Sequence, residues 1–191
     1  NLVIFASGSG SNDENIIRYF AQKPEFCVKK IYCNVPDAYV LERAKKYGVP
    51  AQLFNREEFR NPEKILHHLQ EEATDFIILA GFLWLMPPCI TAAYPYRIIN
   101  IHPALLPAYG GKGMYGHHVH EAVIAAREQE SGITIHYVNE HYDEGAIIFQ
   151  AKCPVLPADT PDDLAARIHE LEYRYFPEII EKTILNTEEE V

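Results

Sequence analysis

The residues best suited to chemistry lie in the segment Ile98-Ile99-Asn100-Ile101-His102-Pro103-Ala104-Leu105-Leu106-Pro107. Apolar Ile98, Ile99 and Ile101 mark a short buried strand that runs into a proline-braced turn. Asn100 and His102 lie two apart, so on an extended backbone their side chains point to the same side. An amide is a neutral hydrogen-bond donor, and an imidazole exchanges a proton near neutral pH. Acyl-type transfer requires both functions: one group to hold an oxyanion and another to move a proton. A histidine that merely caps a turn is the competing reading for His102 taken alone.

Three further segments bear on that choice. Tyr142-Asp143-Glu144-Gly145 places an acid in a loop between two late strands. A carboxylate facing His102 would raise the imidazole pKa and fix its orientation; in isolation the same residues read as a solvated turn. Ser7-Gly8-Ser9-Gly10-Ser11-Asn12 follows an apolar run and precedes a helical pattern, a strand–loop–helix order in which backbone N–H groups can bind a phosphate. No Gly-Lys-Ser/Thr follows, so it is not a Walker loop. Asp13 occupies the third glycine position of a dinucleotide fingerprint, and the second strand ends in Asn34 rather than an acid. A tight turn that needs glycine is the alternative. Ala80-Gly81-Phe82-Leu83-Trp84-Leu85-Met86 is apolar enough to wall a pocket for a flat aromatic ligand, or to be ordinary core.

The remaining titratable residues lead elsewhere. His117, His118 and His120 have no third ligand at a suitable spacing, so a polar helix start is expected there and no metal site. His67-His68 reads as solvated. Glu172 borders the apolar seam of the last helix, where it could hydrogen-bond sugar hydroxyls or simply edge the core. Cys27, Cys33, Cys89 and Cys153 form no CxxC pair and read as free thiols in a reducing compartment.

These residues need a scaffold, and the apolar pattern supplies one. Strands are expected at Leu2–Ala6, Val28–Cys33, Ala51–Phe54, Phe76–Ala80 and Arg97–Ile101. Helices between them are marked by Ile16, Ile17 and Phe20, by Val40–Tyr47, and by Ile65, Leu66 and Leu69 after Asn61-Pro62-Glu63. A further helix is expected at His117–Arg127, and two strands at Gly132–Val138 and Ala146–Val155 joined by a polar loop. Thr160-Pro161-Asp162-Asp163 opens a last helix, with Leu164, Ile168, Leu171 and Tyr175 on its apolar face. The fold class is α/β: an open, mainly parallel, Rossmann-like twisted sheet with helices on both faces and an antiparallel C-terminal edge. The candidate loops follow the first, fourth and fifth strands, where ligands bind in open α/β sheets. Thr187-Glu188-Glu189-Glu190-Val191 reads as a tail.

The 191 residues, 48% of them hydrophobic, suffice for one domain spanning 1–191. A net charge of −10 argues against a nucleic-acid partner. No apolar run spans a membrane and no signal peptide is recognisable, so a cytoplasmic enzyme or binding domain is expected.

Taken together, the Ser7–Asn12 loop, Leu79-Ala80-Gly81-Phe82, Asn100–Pro107 and Gly132-Ile133-Thr134-Ile135-His136-Tyr137-Val138 leading to Asp143 resemble the phosphoribosylglycinamide formyltransferases of purine biosynthesis, within the formyltetrahydrofolate-using formyltransferases. The likeness runs from Leu2 to about Ile184. Methionyl-tRNA formyltransferases would add a C-terminal domain and formyltetrahydrofolate deformylases an N-terminal one, so this length favours the first group. The resemblance implies direct formyl transfer from 10-formyltetrahydrofolate, a co-substrate, to the amine of glycinamide ribonucleotide, without a metal, by a monomer or homodimer. It implies that Asn100 stabilises the oxyanion, that His102 transfers a proton and that Asp143 raises the His102 pKa. Gly10, Ser11 and Asn12 would hold the substrate phosphate, and His169, Glu170, Leu171 and Glu172 would meet its ribose. Arg56, Leu83, Trp84, Leu85, Met86, Asn100, Asn139, Glu140, His141, Tyr142 and Asp143 would hold the folate, largely through backbone groups.

Trp84 stands where some members carry an arginine, and Glu144 replaces a common glycine. Tyr109-Gly110-Gly111-Lys112-Gly113-Met114-Tyr115-Gly116 is longer than in some members, and its glycines lead us to expect a mobile flap. A formyltetrahydrofolate hydrolase, a sugar-amine formyltransferase and a non-catalytic nucleotide-binding module are the competing readings.

Overall fold

The computed structural model describes residues 1–189 of the chain. Its strands are β1 (Leu2–Ala6), β2 (Val28–Cys33), β3 (Ala51–Leu53), β4 (Phe76–Leu79), β5 (Ile98–His102), β6 (Glu130–Tyr137) and β7 (Ile147–Pro154). Its helices are α1 (Ser11–Phe20), α2 (Val40–Lys46), α3 (Arg56–Arg60), α4 (Glu63–Glu71), α5 (Pro88–Ala93), α6 (His117–Ala125) and α7 (Pro161–Glu189). The seven strands form one sheet in the order β3-β2-β1-β4-β5-β6-β7. β1 pairs in parallel with β2 and β4, β2 with β3, and β6 runs antiparallel to β7. This is the expected fold class. The chain divides into two compact units: Asn1–Ile99 with Val138–Glu140, and Asn100–Tyr137 with the chain from His141 on.

In the first unit, β1 and β4 are apolar and buried along their whole length, as strands covered on both faces must be. Phe5 stacks on Tyr32 at 4.8 Å between ring centroids and meets Phe82 edge to face; Phe54 meets Trp84, and Phe59 meets Phe82, in the same way. α3 and α5 were not expected from periodicity. Five and six residues are too short to show it. α3 nevertheless carries a capping box: Asn55 accepts from the Glu58 N–H, and Glu58 accepts from the Asn55 N–H, both at 2.9 Å. His68 is half-buried rather than solvated, with its Nδ1 3.0 Å from the Gln52 amide.

In the second unit, α7 opens as its sequence predicts. The Thr160 hydroxyl accepts from the Asp163 N–H at 3.2 Å, and Asp163 accepts from the Thr160 N–H at 2.9 Å. The buried face of α7 differs from the expected one. Leu164, Ile168, Glu172, Phe176, Ile180 and Ile184 are buried, whereas Leu171 and Tyr175 are half-exposed. The seam follows every fourth residue, which carries Glu172 inward. The expected tail also differs: α7 continues to Glu189, and the Thr187 hydroxyl donates to the Thr183 carbonyl at 2.8 Å. Glu190 and Val191 lie outside the described residues.

β6 lies so close to β7 that Gly132 admits no side chain. A Cβ there would sit 2.0 Å from the Ala151 carbonyl oxygen and 2.7 Å from Leu105 Cδ2. Gly132→Ala is expected to destabilise the protein by at least about 1–3 kcal/mol in urea unfolding, the usual range for overpacking. An unchanged midpoint would contradict this packing.

Candidate active site

The second unit brings Asn100, His102 and Asp143 together around a fourth residue, His136. β5 carries Asn100 and His102 on one side, as the two-residue spacing requires. His102 is 3% exposed, and its Nδ1 lies 3.6 Å from Asp143 Oδ2. Its Nε2 lies 2.7 Å from the Tyr109 carbonyl, which can only accept, so Nε2 carries a hydrogen. A carbonyl at one nitrogen and a carboxylate at the other suit the doubly protonated ring. Burial acts against that form. It holds the His102 pKa below the ordinary 6.5, although Asp143 and the Tyr109 carbonyl both raise it, and the nearby His136 lowers it further. The expected upward pull from Asp143 is present, but it is smaller than the cost of desolvation.

Asp143 is held as an anion. Burial pushes its pKa up, but the His136 side chain, the charge of His102 and the Gly111 N–H more than offset this and leave it below 3.8. The Gly111 N–H donates to Oδ2 at 3.0 Å, and Oδ1 lies 3.6 Å from His136 Nε2. The backbone of Asp143 is left-handed, φ 56°, a conformation that aspartate tolerates better than most residues.

The sequence reading missed His136, Thr134 and Gln150. His136 is buried, and its Nδ1 faces the Tyr137 carbonyl at 2.8 Å, so that nitrogen donates. Its Nε2 lies 3.1 Å from Asn100 Nδ2, which sets the Asn100 amide against the ring. Thr134 accepts from the Leu106 N–H at 3.0 Å and donates to the Ala104 carbonyl at 2.7 Å; Gln150 donates to the Leu106 carbonyl at 3.0 Å. These bonds pin the Pro103–Pro107 turn behind His102. The available signal was the strand pattern: Gly132, Thr134 and His136 alternate with Ile133 and Ile135, a polar row in a buried strand.

The segment expected to be a flap begins firmly tied. Its Tyr109 carbonyl and Gly111 N–H bind His102 and Asp143, and the Tyr109 hydroxyl donates to Glu128 at 2.7 Å. A Cβ on Gly110 would meet Leu106 Cδ2 at 2.6 Å and Asp143 Cβ at 3.3 Å.

On α7, Glu172 is buried and its Oε2 lies 3.2 Å from His169 Nδ1, while Glu170 is exposed and Leu171 half-buried. The Glu172 carboxylate raises the His169 pKa. His117 and His118 lie exposed at the start of α6, but His120 is buried. Its Nδ1 has no partner, and burial, then repulsion from His169, lowers its pKa to about 4. Among the described residues no cluster of three or more His, Cys, Asp or Glu side chains could hold a metal. His141 and Tyr142, beside Asp143, are exposed.

The first unit holds the Ser7–Asn12 loop. The Gly8 carbonyl accepts from the Val40 N–H at 3.2 Å and the Ser9 carbonyl from Arg43 Nε at 2.8 Å. Gly10 is left-handed, φ 74°, and its missing Cβ would lie 2.5 Å from Val40 Cγ2. Glycine is therefore required by both conformation and space. The Gly10 carbonyl accepts the first helical bond of α1, from Glu14 at 2.8 Å, so Ser11 and Asn12 stand in the helix first turn, where backbone N–H groups project from the helix end. The Ser7 hydroxyl donates to Asn34 Oδ1 at 2.6 Å and accepts from the Leu83 N–H at 3.1 Å. Leu83 and Leu85 are exposed, while Met86 is in the core and can offer only backbone groups. The Arg56 guanidinium lies 4.1 Å over the Trp84 ring. Asn139 is half-buried and Glu140 exposed. The cysteines are free thiols, Cys33 and Cys153 buried, Cys27 and Cys89 exposed.

A buried imidazole, a carboxylate held as an anion and a fixed amide donor together match what carbonyl transfer to an amine requires. Residues 1–180 match the formyl transferase family model. The chain belongs to the formyl transferase family. It is 38% identical over 192 residues to the chloroplastic phosphoribosylglycinamide formyltransferase of Arabidopsis thaliana, covering 94% of this chain and 63% of that protein. It is 34% identical to the phosphoribosylglycinamide formyltransferase of Escherichia coli, covering 94% of this chain and 85% of that protein. The crystal structure of phosphoribosylglycinamide formyltransferase from Streptococcus pneumoniae superposes with a TM-score of 0.86 at 38% identity, over 96% of this chain and 98% of that one. Against the plant relatives of Arabidopsis and Vigna unguiculata the chain spans less than two thirds of their length, 63% and 59%. No described helix is long and apolar enough to cross a membrane.

The opposing effects on His102 give a measurable sign. In imidazole-resolved NMR titrations, His102 is expected to titrate below 6.5, and Asp143→Asn is expected to move it lower still, because the charge that raises it is lost. An upward shift in Asp143→Asn would contradict this electrostatic account.

Proposed function

We propose that the chain transfers the formyl group of 10-formyltetrahydrofolate to the amine of glycinamide ribonucleotide in purine biosynthesis. The observation that carries this reading is the buried His102–Asp143 pair beside the oriented amide of Asn100, in a chain of the formyl transferase family.

The amine attacks the formyl carbon, and the carbonyl oxygen becomes an oxyanion. The Asn100 amide nitrogen has two hydrogens; one is engaged by His136, and the other serves the oxyanion. The carbon–nitrogen bond to the folate then breaks, and its electron pair returns to the folate nitrogen with a proton supplied by His102. The amine, now bonded to the formyl group, gives up one proton, which restores the protonated imidazole of His102. Asp143 favours the protonated imidazole against the opposing effect of burial. Transfer from Nε2 requires the Tyr109 carbonyl to leave that nitrogen. Gly10, Ser11 and Asn12 bind the phosphate through backbone N–H groups, and His169, Glu170, Leu171 and Glu172 meet the ribose. Arg56, Leu83, Trp84, Leu85 and Met86, with Asn139, Glu140, His141, Tyr142 and Asp143, hold the folate. The partners are two small molecules, and no step calls for a metal.

The test is spectroscopic assay of folate deformylation with and without glycinamide ribonucleotide. Product only with the acceptor is expected. Asn100→Ala should reduce kcat about 10²–10³-fold, and His102→Ala about 10²–10⁴-fold. Product without acceptor would identify a hydrolase. Unchanged turnover in His102→Ala would overturn the catalytic assignment.

A further inference from the structure

Asp13 is a buried titratable group for which the reaction above has no use. It follows Ser11 and Asn12 in the first turn of α1, is 1% exposed, and neither carboxyl oxygen has a partner beyond its own residue's N–H. An acid in the first turn of a helix usually sits at the surface, where the dipole favours its anion. Here burial prevails and pushes the pKa up to about 7; its own backbone N–H and the Arg43 charge pull it down without prevailing. The charged and titratable groups around it are few. Arg43 on α2 is engaged by Glu14 of α1 and by the Ser9 carbonyl, and Glu14 also accepts from Lys46 and Tyr47. On β2 the Cys33 thiol is pushed up by burial, and further by Asp13, so it stays neutral.

We propose that Asp13 couples anion binding at the Gly10–Asn12 loop to the uptake of a proton. The inference rests on the reading of that loop as the phosphate site. A phosphate on the N–H groups of Ser11 and Asn12 brings negative charge to residues adjacent in sequence to a carboxyl that water does not screen. Negative charge brought near a carboxyl that is shielded from water favours the neutral form of that carboxyl. A proton from solvent therefore joins the carboxylate as the ligand arrives. With the carboxyl raised to about 7 in the free protein and raised further by the ligand, uptake near pH 7 is a fraction of a proton per ligand. As pH rises further, affinity falls, with a slope approaching tenfold per unit. A phosphate monoester, whose second pKa is about 6, changes little in charge over the same range.

The experiment is isothermal titration calorimetry of glycinamide ribonucleotide binding at pH 7 in buffers of different ionisation enthalpy, with wild type and Asp13→Asn. Greater proton uptake in wild type than in Asp13→Asn is expected, with a Kd that rises more steeply from pH 7 to 8.5 in wild type. Equal uptake and equal pH slopes, with binding intact, would overturn the role of Asp13 alone. Absence of binding by wild type would instead overturn the phosphate reading, and the coupling with it. Thermal unfolding supplies a second readout that needs no ligand. A carboxyl raised from 3.8 to about 7 weakens the fold only where it ionises, a cost absent below about pH 4 and complete above about pH 7. The Tm advantage of Asp13→Asn, or of Asp13→Ala, should widen from pH 5 to pH 8, and a constant difference would contradict a buried, titrating Asp13.

Discussion

The second unit is organised around one costly contact: an imidazole and a carboxylate, 3.6 Å apart, taken out of water. Burial disfavours the charged form of each, so the pair persists only if the atoms around it supply hydrogen bonds and charge. The surroundings meet that demand. Tyr109 and Gly111 contribute a carbonyl and an N–H, His136 faces the second carboxylate oxygen, and Thr134 and Gln150 hold the turn that follows His102. The glycine at 110 follows from the same packing, since a Cβ there would meet Leu106 and Asp143. Asp143 pulls the His102 pKa up, and burial pulls it down further.

The first unit depends on a backbone constraint. Gly10 has neither the conformation nor the space for a side chain, because Val40 of α2 lies against it. The carbonyls of Gly8 and Ser9 are bound by α2, which sets the path of the loop into α1. Next to the loop in sequence, Asp13 is buried with no partner beyond its own residue's N–H, an unusual cost at a helix N-terminus.

Much of this was legible in the sequence. Continuous apolar runs gave β1 and β4, the Thr160-Pro161 start gave α7, and the two-residue spacing of Asn100 and His102 placed both on one side of β5. What escaped has physical reasons. α3 and α5 are shorter than the period that would reveal them. The face of α7 was rotated by one position because its seam repeats every four residues and includes an acid, Glu172. His136 was hidden because a histidine in a strand declares nothing until its partners are known. The net direction of the His102 shift was not legible, because the upward pull of Asp143 can be inferred from sequence, whereas the depth of burial cannot.

The central claim is that His102 and Asp143 act as one unit, and a double-mutant cycle on kcat/KM for formyl transfer tests it most directly. His102→Ala, Asp143→Asn and the double variant would be compared with wild type. The account predicts that Asp143→Asn costs little once His102 is gone, so that the double variant is about as slow as His102→Ala alone. Losses that multiply independently would show that the two residues serve separate roles and would contradict the account.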